Sequence, residues 1–306
     1  MSVGTSAVLV MAYGTPTSPD NVEAYYTDVR RGHAPTPELL AELQHRYSAI
    51  GGVSPLAERT RAQVDAVANE IHRTSPETRV YFGAKHSCPS IETTVEQMIE
   101  DGITRAVAVV LAPHYSSYSV GQYVGRARSA AGEKLEFAAI DSWHLEETFI
   151  SLLSARLRTA MALFTDPSRV MTLVTAHSLP ARVMATGDPY ATQLRETAER
   201  IITEAGITAW QIAWQSAGRT TEPWIGPDIL EVIKELGTDV RYDGVLVCPA
   251  GFVSDHLEIL YDIDIEARGV ANDVQMQLER TESLNDDAGL MSMLATLALA
   301  KMPESR

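Results

Sequence analysis

The chain has 306 residues, 45% hydrophobic and 21% charged, and its 25 basic against 40 acidic side chains leave a formal charge of −15. Those proportions describe a packed globular chain long enough for two ordinary α/β domains or one large one, not a disordered one. An acidic surface repels nucleic acid and anionic lipid, so neither is expected as a partner, and a polyanionic ligand would need a local basic patch.

The first element is an apolar run at residues 7–12, closed by the turn residues Tyr13-Gly-Thr-Pro16. A short, wholly apolar run of this kind reads as a buried parallel strand. Comparable runs recur at 79–82, 106–112, 137–140, 170–176, 212–214 and 245–248. Helical patterns at 37–48, 56–73, 91–100, 146–163, 190–205 and 228–236 fall between them. Strands that alternate with helices predict βαβ units and parallel sheets. The strands cluster before residue 142 and again after 169. The predicted fold is therefore α/β, with two doubly wound Rossmann-type domains at 1–143 and 144–306 and the last helix packing back on the first.

No Gly-x-Gly-x-x-Gly fingerprint or P-loop is present, which weighs against dinucleotide and nucleotide chemistry. Cys88 and Cys248 are isolated, as expected of reduced thiols in a cytoplasmic protein, and too few for an ordinary iron–sulfur cluster. No targeting segment is legible, and the apolar run at 290–300 falls well short of the roughly 20 residues that cross a bilayer. Monomer is the expected state.

In open parallel sheets, ligands sit beyond the carboxyl ends of the strands. The residues there are Tyr13, Lys85, His86, Pro113-His114-Tyr115, His177-Ser178-Leu179-Pro180 and Ser254-Asp255-His256-Leu257-Glu258. Imidazoles, phenols and carboxylates bind metals and move protons. His177 reads equally well as a proton acceptor or metal ligand and as a histidine tied to a loop carbonyl. Glu258, Asp262 and Glu266 are spaced i, i+4, i+8, which places them on one face of an α-helix with about 40° of drift per step. Such a row repels itself unless a cation lies within it, and oxygen ligands suit a divalent ion. The competing readings are a capping box between Asp255 and Glu258 and an alternating strand at 262–266. Arg30, Arg31 and His33, with Arg46, Tyr47 and Ser54 beside Gly51-Gly52, form the one basic patch, suited to carboxylates or merely solvated. Trp214, Trp224, Tyr13, Tyr123 and Phe252 line a flat pocket or belong to the core.

Taken together, these stretches resemble the ferrochelatases. The telling segments are Leu9-Val-Met-Ala-Tyr-Gly-Thr-Pro16, Arg46-Tyr47 with Gly51-Gly52-Val53-Ser54-Pro55, Leu111-Ala-Pro-His-Tyr-Ser-Ser117, Thr175-Ala-His-Ser-Leu-Pro180, Trp214-Gln-Ser216 and Phe252-Val-Ser-Asp-His-Leu-Glu258. The resemblance spans nearly the whole chain and is nearest to the Gram-positive coproporphyrin type. It implies a chelatase-like fold with a porphyrin cleft between the two domains. It implies iron insertion into coproporphyrin III, giving iron coproporphyrin in haem synthesis. Protoporphyrin insertion is the alternative, followed by a cobalt or iron chelatase of cobalamin or sirohaem synthesis and a non-catalytic haem carrier.

The resemblance makes His177 and Glu258 the catalytic pair, and Asp262 and Glu266 the rest of an acidic row for metal delivery. Tyr13 faces the macrocycle from the other side, where it can ligate iron. Arg30, Arg46, Tyr47, Ser54 and Tyr123 hold propionates or line the cleft, with Lys85 and His86 near its mouth. Porphyrin and ferrous iron are then substrates, no cofactor is tightly bound, and the product passes to later haem-pathway enzymes. Two places depart from the family pattern: relatives carry a charged residue where Ala217 stands, and a Tyr- and Pro-rich stretch where residues 278–285 lie.

Overall fold

The computed structural model describes residues 5–304 apart from residue 219. Its strands are β1 (Thr5–Ala12), β2 (Arg79–Ala84), β3 (Ile103–Val110), β4 (Glu136–Ile140), β5 (Val170–His177), β6 (Trp210–Gln215), β7 (Gly244–Cys248) and β8 (Gln277–Arg280). Its helices in the first half are α1 (Val22–Val29), α2 (Pro37–Ala49), α3 (Leu56–Thr74), α4 (Ile91–Glu100), α5 (Val120–Ala131) and α6 (Glu147–Met161). Those in the second half are α7 (Ala181–Met184), α8 (Tyr190–Ala205), α9 (Ile229–Leu236), α10 (Leu257–Leu260), α11 (Arg268–Asp273) and α12 (Ala288–Ala300), with a π-helical turn, Asp262–Ala267, between α10 and α11.

The strands form two four-stranded sheets, ordered β2-β1-β3-β4 and β6-β5-β7-β8, with every pairing parallel. The second order repeats the first, although the sequence carries no visible repeat. Side chains alternate across each strand. In β1, Val8 and Val10 face a core shared with the second half, and Ala7, Leu9 and Met11 face α4 and α5. In β7, Leu246 and Cys248 face the shared core, and Val245 and Val247 face α9 and the π-turn. Both faces of both sheets are thus covered, which is why the strands read as continuous apolar runs.

The shared core is filled by α3, α6, α8 and α12. Leu290, Met291, Leu294 and Ala298 of α12 are fully buried, and the helix packs against α3, α6 and β3. Helix starts are marked by capping side chains: Thr36 for α2, Ser90 for α4, Asp228 for α9 and Asp287 for α12. No helix among the described residues is long and apolar enough to cross a membrane.

Differences from the sequence expectation are local. β3 covers 103–110 rather than 106–112, because the last of those residues leave the sheet to form the loop beside β1. β6 is longer than expected, and β5 includes His177 itself. The sequence pattern does not predict helices α1, α5, α7 and α11 or strand β8.

Candidate active site

Strand order reverses between β1 and β3, and again between β5 and β7. At such points the connections leave in opposite directions and open a crevice beyond the carboxyl ends. β1 delivers Tyr13 to the first crevice. β5 delivers His177 to the second, and the loop after β7 leads into α10 with Glu258 in its first turn.

His177 Nε2 lies 3.6 Å from Glu258 Oε1, and His256 Nε2 lies 3.6 Å from Glu258 Oε2. One carboxylate therefore sits between two imidazoles. His177 Nδ1 makes a short hydrogen bond to the Ser178 carbonyl, and the His177 carbonyl accepts from the Tyr190 hydroxyl at 3.1 Å. Phe252 and Trp224 flank the His177 ring, with centroids 6.5 and 6.4 Å away. Burial would depress the imidazole, but the Glu258 charge and hydrogen bond, the Ser178 carbonyl and Asp262 outweigh it and raise His177 to about 9. Burial would likewise raise Glu258, but His177 and His256 hold it well below the usual carboxylate range. The resting pair is imidazolium and carboxylate. At neutral pH the imidazole therefore already holds its proton.

Asp262 follows one turn later and is buried. Burial and the Glu258 charge raise its carboxyl to about 6, against the pull of Ser216 and Arg46. Ser216 Oγ donates to Asp262 Oδ2, and Arg46 Nη1 to Oδ1 at 3.2 Å. The single α-helical face expected for Glu258, Asp262 and Glu266 is corrected too. The step to Asp262 leaves α10, but Asp262 and Glu266 lie on the π-turn, where the Glu266 amide bonds the Tyr261 carbonyl five residues back at 2.9 Å. An α-turn holds fewer than four residues and a π-turn more, so the second step of four drifts back where the first drifts forward. The three carboxylates thereby stay nearer one line than a plain α-helix would keep them. Neither competing reading forms. Residues 262–266 are helical, and Asp255 bonds Ser283, Asn285 and Arg280 rather than capping α10.

The other wall comes from the first sheet. Tyr13 is 41% exposed, into the space between the halves, where enclosure and the Glu258 charge push its phenol well up. Its ring meets His86 edge-on at 4.7 Å, and His86 Nδ1 bonds Asp28 at 2.7 Å. The Lys85 ammonium lies 5.7 Å from the Tyr13 ring and 5.1 Å from the Tyr123 ring. Burial, Arg126 and Arg31 lower it to about 8. Tyr47 is buried and reaches Thr15 at 3.5 Å; burial raises its phenol to about 12, with the Glu258 charge adding and the Thr15 contact opposing. Ser54 is buried beneath the Leu56 amide, which it accepts at 3.2 Å.

Of the predicted propionate residues, Arg46 is occupied differently: it pairs with Asp262 and with Glu42 at 3.4 Å, and stacks on Tyr261. The guanidinium belongs to the acidic row before any substrate arrives. Arg30 stacks on Tyr26 and donates to the His33 carbonyl at 3.3 Å. Tyr123 is buried in α5 beneath Lys85, and Trp214 is core, stacked on Tyr190 at 5.7 Å.

Sequence reasoning gave no role to His256, Ser216, Tyr190 or Arg126. His256 is two residues from Glu258, a spacing that does not converge on a helix but does across an extended N-terminal residue. Ser216 has φ of +60°, a conformation few serines adopt, and it turns the hydroxyl onto Asp262. Arg126 grips Glu92 with two bonds of 2.6 and 2.7 Å and donates to the Lys85 carbonyl, fixing the loop that carries Lys85 and His86.

Two parallel sheets of matching order bring a charged imidazole–carboxylate pair to one switch point and a phenol to the other. Solved structures agree on the fold: SirB from Bacillus subtilis with Fe3+ superposes with a TM-score of 0.56 at 11% identity, over 97% of this chain and 94% of that one. CbiX, the terminal enzyme for biosynthesis of siroheme in denitrifying bacteria, gives 0.54 at 14% identity, over 96% and 98%. The ferrochelatase family model matches residues 5–302, and the chain belongs to that family. Its relatives include the coproporphyrin III ferrochelatase of Anoxybacillus flavithermus, 43% identical over 98% of this chain and 97% of that one. Those of Geobacillus thermodenitrificans (41%, 99% and 98%) and Halalkalibacterium halodurans (42%, 97% and 97%) bear the same name.

Proposed function

We propose that the protein inserts ferrous iron into coproporphyrin III to give iron coproporphyrin for haem synthesis, with both reactants as substrates and no resident cofactor. The observation that carries this is the 3.6 Å approach of His177 to Glu258 with Asp262 one turn beyond, in a chain 41 to 43% identical to proteins named for that reaction.

Metallation exchanges one ferrous ion for two pyrrole protons. Glu258, Asp262 and Glu266 supply hard oxygen atoms to a partly hydrated cation. A cation that takes hold of Glu258 competes with His177 for the same carboxylate. His177 then loses the charge that keeps it protonated and releases its proton to water, and the neutral imidazole becomes able to accept one pyrrole proton or to bind iron. Tyr13 stands on the opposite wall, where a phenol can cap the metal. Arg30, Tyr47, Ser54 and Tyr123 anchor or contact the propionates, and clamping the ring's edges lets remote binding energy distort its centre. Cys88 and Cys248 are both free, which suits a reducing cytoplasm. Action as a monomer and handover to later haem-pathway enzymes complete the reading.

His177→Ala tests it. Porphyrin binding, read by absorbance, stays within about twofold, while insertion falls by about a hundredfold or more. Near-normal turnover would remove His177 from the chemistry. Parallel rates with coproporphyrin and protoporphyrin test the substrate: faster insertion into protoporphyrin overturns the coproporphyrin assignment.

A further inference from the structure

β8 ends on Arg280. Its side chain is only 16% exposed. Nε donates to Asp264 Oδ1 at 2.7 Å and Nη2 to Oδ2 at 2.9 Å, a bidentate fork. Nη2 also reaches Asp255 Oδ1 at 3.3 Å, and Nη1 donates to the Thr281 carbonyl at 3.1 Å. Asp264 lies inside the π-turn, between Asp262 and Glu266. Asp255 lies on the loop after β7, three residues before Glu258. Ser283 Oγ and Asn285 Nδ2 complete its shell at 2.8 and 2.9 Å, and Asn285 Oδ1 accepts its amide at 3.0 Å. One cation therefore grips the segment bearing the three carboxylates at both its loop end and its π-turn.

The π-turn needs such a grip. It carries one residue more than an α-helix would, and isolated π-turns are rare because the α form is generally preferred. Relaxing it to α would rotate everything beyond by about 100°, one residue's worth, and carry Glu266 out of the row. A bidentate Arg–carboxylate pair fixes direction as well as distance, and a lysine cannot reproduce the fork.

We propose that Arg280 is a positioning residue, whose fork on Asp264 and contact with Asp255 hold the π-turn in register so that Glu258, Asp262 and Glu266 present one row to ferrous iron. This rests on reading that row as the iron's route. The test is anaerobic initial rates with ferrous iron varied at saturating coproporphyrin III, for wild type, Arg280→Ala, Arg280→Lys, Asp264→Asn and Asp262→Asn. Each Arg280 and Asp264 variant raises the apparent KM for iron by about fivefold or more, with kcat and porphyrin affinity within about twofold. Failure of lysine to rescue distinguishes the fork from its charge. Should Arg280→Ala not fold, the lysine and Asp264→Asn variants carry the test. The proposal is overturned if Arg280→Lys matches wild type, or if kcat falls with iron KM unmoved. It is equally overturned if the Arg280 and Asp264 variants leave iron KM unchanged while Asp262→Asn raises it. If Asp262→Asn is also flat, it is the acidic row itself that fails, and Arg280's role with it.

Discussion

Replacing Glu258 with Gln keeps the size of the side chain and removes its charge. His177 is held at about 9 because the Glu258 charge and hydrogen bond, with smaller help from Ser178 and Asp262, overcome burial, the largest single influence on the ring. Without the carboxylate, burial is opposed only by the two smaller contributions. The imidazole is then expected to titrate at its ordinary value of about 6.5 or below, a fall of at least about 2.5 pH units. At pH 7.5 the neutral fraction of His177 rises from about 3% to about 90%, roughly thirtyfold. The sign for stability follows: a raised imidazole stabilises the fold fully below about 6.5, and that contribution is lost as pH rises through about 9. The variant gives up the effect across that window. The assay is the pH titration of the imidazole Cε1–H resonances in porphyrin-free protein, with His177→Ala identifying the signal. A Glu258→Gln midpoint still above about 8 would refute the reasoning, because some other group would then be holding the proton.

Acid should destabilise the fold through His114. It is 2% exposed, its Nε2 bonds Thr197 at 2.9 Å and its Nδ1 has no hydrogen-bond partner among the described residues; burial and the nearby His144 lower it to about 3. The unfolded chain binds the proton first, so stability present above about 6.5 is lost as pH falls, by about 3 kcal/mol at pH 4.5. Urea midpoints against pH check this, and His114→Asn, if it folds, should flatten the slope; an unchanged slope would exonerate His114. Leu294→Ala empties a fully buried site between α12, α3 and α6 and is expected to cost about 2–5 kcal/mol. Because that core touches both sheets, calorimetry should show one transition moving as a whole; a half that melts separately at its original temperature would contradict the shared core.

The fold was legible where hydrophobic pattern alone determines it. Strands covered on both faces become apolar runs, and the amphipathic helices between them carry ordinary periodicity and caps. What escaped had a physical reason each time. Helix α5 begins Val120-Gly121 and has Gly125 in its second turn, so its propensity is poor; yet a Cβ at Gly121 would lie 3.0 Å from the Tyr115 hydroxyl, so packing demands what propensity disfavours. Strand β8 lies at a sheet edge and is mostly polar, and only Leu278 of its residues is buried.

The site was legible to the extent that residues project from strand ends. His177, Tyr13 and Glu258 stand where the topology opens its crevices, and a list of strand ends finds them. Their electrostatics were not legible, because the proton on His177 depends on a 3.6 Å distance between two loops from different strands. The π-turn was less legible still. Nothing in Asp262-Ile-Asp-Ile-Glu266 marks an added residue, and its alternation even mimics a strand. The information lies sixteen residues on, in Arg280, whose fork on Asp264 makes sense only once the edge strand that carries it is seen beside β7. Carboxylate spacing that looks like an α-helical face can therefore be held in line by a helix that is not α, through a cation that no local window contains.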